Sequence, residues 1–148
     1  MSMHTMKAME GQSVVAVDTA EKIGKVKHFV VSSDASRIER LHIDGRTSNS
    51  LFAEWSDLES FGKDRVMVRV ASAPAESDDE RDIDAARGRI DLLSSRLLDS
   101  AGFEHGTATD ASFDADDGRI VSVTSSDGEV IDASRLRSIG SYAIVFDA

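Results

Sequence analysis

The chain has 148 residues, enough for one ordinary domain or two very small ones, and its 41% hydrophobic and 30% charged fractions describe a core inside a soluble surface. The absence of cysteine excludes disulfides, thiolate metal sites and thiol nucleophiles. No run reaches the ~20 apolar residues of a membrane span, and "MSMHTMKAMEG" lacks an apolar stretch of signal-peptide length, so the expectation is a cytoplasmic protein.

The net charge of -10 is unevenly placed. Residues 1–70 balance ten Lys and Arg against ten Asp and Glu, whereas residues 71–148 set seven against seventeen. An acidic field of this kind repels phosphate backbones over roughly ~8 Å, which makes nucleic acid a poor default ligand.

In chain order, residues 1–9 hold four methionines without periodicity and read as a loose tail. "SVVAVD" (13–18) reads as a first strand ended by a turn. "GKVKHFVVS" (24–32) alternates, with Val26, His28 and Val30 on one face and Lys27, Phe29 and Val31 on the other. Apolar residues on both faces near its end point to a bend or bulge. After the polar turn "SSDAS" (32–36), "RIERLHID" (37–44) places Leu41 and Ile43 opposite His42. "GRTSNS" (45–50) reads as a loop, "LFAEW" (51–55) as a strand, "SDLESFG" (56–62) as one helical turn and "DRVMVRV" (64–70) as a fifth strand. Five short strands with tight turns are the signature of a small antiparallel barrel.

The composition then changes. "ASAPAESDDERDIDAARGR" (71–89) holds the only proline and a dense acidic cluster. "SDDE" at 77–80 has capping-box spacing, and Ile83, Ala86, Ile90, Leu93 and Leu97 fall on one helical stripe, so a helix over 78–91 packed on a barrel is predicted. A second strand series follows: 95–100, 106–116, 119–125, 129–134 and 142–147, with hairpin turns at 116–118 and 127–128.

The two series match. Gly24 precedes Arg37-Ile38 by the same spacing that separates Gly106 from Arg119-Ile120. "LESFGKDRVMV" (58–68) aligns without gaps on "LRSIGSYAIVF" (136–146). The fold class expected is all-β with a minor helix, as two small antiparallel barrels in tandem: residues 10–70, an acidic linker with helix over 71–92, and a second, degenerate copy over 93–148.

The order from Asp18 through "GKV" (24–26), a hairpin, and "WSDLESFGKDRVMV" (55–68) resembles the PRC-barrel domain. That domain is found in the photosynthetic reaction-centre H subunit and in a ribosome maturation factor. The resemblance implies small β-barrels that dock or adapt other macromolecules without a common catalytic set. It further implies that Gly24 and Gly62 are turn residues and that Trp55, Leu58 and Phe61 are core. The second copy departs from the pattern: Ala133 stands for Trp55, and one extra residue separates Asp99 from Gly106 than separates Asp18 from Gly24.

Chemistry is sparse. His4 falls in the tail and His105 in a turn, while His28 and His42 sit on neighbouring strands without the three or four converging ligands that a metal requires. In "DASFDADDG" (110–118) the calcium-loop positions fall on Phe113, Ala115 and Asp117, so an acidic hairpin turn with Asp114, Asp116 and Asp117 is the better reading. There is no nucleophile elbow and no phosphate loop. The expectation is no enzyme, no catalytic residue, no metal and no cofactor. The one candidate interaction patch is basic: Lys22, Lys25, Lys27, His28, Arg37 and Arg40. The expected partner is another protein or complex, with a homodimer as one arrangement; an RNA- or ribosome-associated factor using the basic hairpin is the alternative, and an ion or small-ligand sensor a third.

Overall fold

The computed structural model describes residues 2–45 and 49–148. The first half builds β1 (Met3–Thr5), α1 (Met6–Met9), β2 (Ser13–Ala16), β3 (Lys22–Val31), β4 (Ile38–Gly45), β5 (Ser50–Glu54), a 3-10 turn (Trp55–Asp57), β6 (Leu58–Phe61) and β7 (Arg65–Val68). The second half builds α2 (Glu80–Ala86), β8 (Arg96–Asp99), β9 (Glu104–Asp114), β10 (Ile120–Ser125), β11 (Val130–Asp132), a 3-10 turn (Ala133–Arg135), β12 (Leu136–Ile139) and β13 (Ile144–Phe146). The protein is mostly β.

One sheet runs β5-β4-β3-β2-β7-β6 and the other β11-β10-β9-β8-β13-β12, so the same strand order is built twice. Each contains one parallel pair, β2 with β7 and β8 with β13, among antiparallel neighbours. Single hydrogen bonds repeat as well. Gly11 N donates to Val26 O at 2.8 Å, and Ser94 N to Ala108 O at 2.8 Å. Arg69 N donates to Asp57 O at 3.0 Å, and Asp147 N to Arg135 O at 2.8 Å. Residues 46–48 of the expected 45–50 loop lie outside the described residues.

The repeats meet through equivalent turns. Arg37 bridges Arg119, Ile38 N donates to Gly118 O at 2.8 Å, and Ile120 N donates to Ser36 O at 2.9 Å. Each residue in these contacts faces the counterpart of its own partner, which is the self-complementary pattern of a twofold interface inside one chain. Gly118 is required here: its φ is +80°, and a Cβ would lie 2.8 Å from Ile38 O and 3.0 Å from the Trp55 ring.

The leading segment of each repeat crosses to the other. The expected loose tail is instead β1 and α1: Met3, His4 and Thr5 pair with Asp114, Phe113 and Ser112 of β9, and Met6 and Met9 are buried. The tail is ordered because its partners lie a hundred residues away, where local periodicity cannot register them. Reciprocally, α2 packs on β3 of the first repeat, over Val30, Phe52 and Ala85. The predicted helix over 78–91 stops at Ala86, and Gly88, at φ +71°, turns the chain away. Ile90, Leu93 and Leu97 of the apolar stripe therefore lie beyond it, Leu97 within β8. Its cap is Asp79, whose side chain accepts from Arg81 N, while Ser77 Oγ accepts from Asp79 N rather than closing a box with Glu80.

One continuous hydrophobic cluster fills both repeats, from Val14, Leu41 and Ile43 through Phe113, Ile120 and Phe146. A register shift between Val26 and His28 realigns β3. Val26 points into this core, whereas His28 turns outward with Val30, which corrects the shared face expected for all three. Gly24 lies inside β3 rather than in a turn, and glycine is needed there because a Cβ would meet Asp44 O of β4 at 2.3 Å; Gly62 does stand at the β6–β7 turn.

Candidate functional site: an aromatic cleft between the repeats

The residues expected as core from the resemblance surround a cleft. Trp55 and Leu58 are 8% and 6% exposed, and Phe61 is half-buried beside them. Trp55 follows β5 directly, and the reciprocal capping of Glu54 and Asp57 fixes the turn that points its indole toward the second repeat. There the ring stacks on Phe61 at 5.0 Å and meets Phe113 edge-on at 5.6 Å. His4, from β1, closes the cluster at 5.7 Å from Phe61 and 6.1 Å from Phe113. Four rings from three separate segments thus converge, in the offset and edge-on arrangements that aromatic quadrupoles favour.

Trp55 makes the two halves of the interface unlike. In the second repeat, Ile139 N of edge strand β12 donates to Ser33 O of the opposing turn at 3.0 Å. By the repeat spacing, Phe61 of the first repeat and Ala115 of the second hold the corresponding places on the other side of the interface. Here Ala115 O accepts instead from Trp55 Nε1, at 2.9 Å. The indole occupies the place that a strand edge takes on the other side, where Ala133 replaces it. Beside it a cleft of about 420 Å³ lies open, lined by β6, Trp55, His4, Arg69 and the 115–116 turn. Arg69 is held on the rim by Glu59, with Nε at 2.9 Å from the carboxylate, and by the Ser56 carbonyl.

The basic residues singled out from the sequence do not form one surface. Lys22, Lys25 and Lys27 are exposed along β3, and Lys27 sits 3.9 Å from Asp44. Arg37 lies at the far end of the hairpin, where it bridges Arg119; at ~3.3 Å per residue this is roughly 30 Å from Lys22. Arg40 and His28 lie on the face covered by the 71–92 segment: Arg40 Nε contacts Asp82 at 2.7 Å and His28 Nδ1 lies 3.5 Å from Asp91.

Two histidine clusters remain. His42 is 3% exposed, stacks between His28 and Phe52 at 5.4 and 5.3 Å, and has no hydrogen-bond partner for either ring nitrogen among the described residues. Burial, reinforced by neighbouring His28, pushes its imidazole down to about 4. In the second repeat Asp99, expected opposite Asp18, stands instead where the first repeat has Ala16. The buried carboxylate accepts from Ala101 N and Phe103 N and contacts His105 Nε2 at 2.7 Å, while Glu129 takes Nδ1 at 3.2 Å. Asp99 and then Glu129 raise the His105 imidazole, and His105 holds Asp99 low. Both ring nitrogens are engaged by carboxylates, so the trio braces a turn. Sequence reasoning missed it because Asp99 and His105 meet only across that turn.

The acidic turn divides: Asp116 and Asp117 are exposed, whereas Asp114 packs into the repeat interface. Asp114 is buried, accepts from Asp116 N at 3.0 Å, and is held below the usual carboxylate range by that bond. Among the described residues no three His, Asp or Glu side chains converge as cation ligands. Among the described residues no helix is long and apolar enough to cross a membrane.

Residues 1–73 match the family model of the PRC-barrel domain. The domain is a module of protein interaction in general. None of the curated proteins matches the chain.

Proposed function

We propose that the protein is a non-catalytic adaptor of the cytoplasm that holds another protein in the cleft beside Trp55. The observation that carries this reading is the asymmetry of the repeat interface. The second repeat closes its edge with Ile139 and Ser33, whereas Trp55 takes the matching carbonyl and leaves an aromatic, solvent-open cleft in the first. Aromatic side chains in a partly desolvated pocket are what partner proteins use as anchors. The match to the PRC-barrel family model supports an interaction role over a catalytic one. Capture from the host lysate tests the reading, with Ser60→Arg filling the cleft from an exposed position and Asp127→Lys as a remote control. A partner that the wild type and Asp127→Lys retain, that Ser60→Arg loses and that nuclease leaves in place is the expected result. Ribosomal proteins released by nuclease and indifferent to Ser60→Arg would favour the basic hairpin and RNA.

A further inference from the structure

We propose that the outer edge of β6 receives an extended segment of the partner as an added strand; this rests on reading the cleft as the docking site. β6 ends its sheet, so one side of its backbone is left without a strand neighbour. Gly62 N donates inward to Arg65 O at 2.8 Å, and strand alternation therefore turns the Phe61 N–H to the outer side. The second repeat confirms the direction, because the matching Ile139 N–H leaves its sheet outward and is taken by a main-chain carbonyl, Ser33 O. The molecule thus shows what satisfies this edge: polypeptide backbone. In the first repeat that carbonyl is engaged by Trp55, and among the described residues none replaces it at Phe61.

The edge is continuous with the interface between the repeats. The cleft runs along Leu58, Glu59, Ser60 and Phe61 and ends on the 115–116 turn. An unpaired donor beside a ring cluster selects an extended peptide, whose carbonyls meet the edge while alternate side chains reach the pocket. One apolar side chain would seat against Trp55 and Phe61.

The test uses the full chain and a phage-displayed library of random dodecapeptides. Selected peptides should share an apolar residue, lose binding with Ser60→Arg, and slow exchange of the Phe61 amide. N-methylation of peptide amides at one alternate set of positions should weaken binding about tenfold, and at the other set only slightly. Peptides blocked by Ser60→Arg but indifferent to N-methylation and to Phe61 exchange would overturn strand addition while leaving the cleft as the docking site. A selection that returns no peptide sensitive to Ser60→Arg would overturn the proposal and count against the docking reading itself.

Discussion

Ser94 stands where the first repeat has Gly11, and both adopt a left-handed backbone, at φ +81° and +83°. A side chain in that region costs about 1 kcal/mol, and the Ser94 side chain is exposed. Ser94→Gly should therefore stabilise the fold by about 0.5–1 kcal/mol in urea unfolding; a loss of stability would mean that the serine is held for another reason.

The two histidine clusters respond to pH with opposite signs. His105 is raised above its ordinary 6.5, so its contribution is complete below that value and is lost as pH rises through the folded one. Its partner Asp99 is lowered from 3.8, so that contribution holds above about 3.8 and is lost as pH falls. Stability conferred by the trio should peak between about pH 4 and 6.5, and His105→Gln should cost most in that window and less above it. His42 acts the other way: lowered from 6.5 to about 4, it withdraws stability as pH falls between those values, on the order of 2–3 kcal/mol. His42→Phe should flatten that acid limb, since the ring is buried without partners. Urea unfolding from pH 4 to 8 separates the two; an unchanged acid limb in His42→Phe would contradict the assignment.

At the scale of elements, most strands were legible, but β6, β12 and the crossings were not. Residues 56–62 read as one helical turn, whereas the turn is confined to Trp55–Asp57 and Leu58–Phe61 forms edge strand β6. Alternation of Val66 and Val68 marks β7 because one side of it is buried; in β4 Leu41 and Ile43 join the core while His42, on the opposite face, is buried as well. The bulge in β3 was also legible, from apolar residues on both faces, although its position put His28 on the wrong side. The β1–α1 segment carried no signal, since three strand residues and one helical turn are too short for a period to show. Its burial is nonetheless complete at Met6. Met6→Ala should destabilise the protein by about 2–4 kcal/mol, as for any fully buried core side chain; denaturant unfolding with a change below about 0.5 kcal/mol would show that the segment is dispensable.

At the scale of the whole molecule, the tandem repeat was visible in the spacing of Gly24 and Gly106 to their hairpins, and the resemblance located Trp55 among the core residues. The cleft was not visible. It depends on which donor reaches one turn carbonyl, Trp55 Nε1 at Ala115 or a strand amide at Ser33, and no local pattern encodes that choice. Two halves of the same strand order give the chain a sealed side and an open side, and the proposed partner docks on the open one. The measurement that tests this most directly is photo-crosslinking in the native host, with a benzophenone amino acid replacing Ser60 in the cleft or Asp127 on the far repeat. A discrete covalent adduct with one protein is expected from position 60 and none from position 127. No adduct at position 60, or the same adducts from both positions, would contradict it.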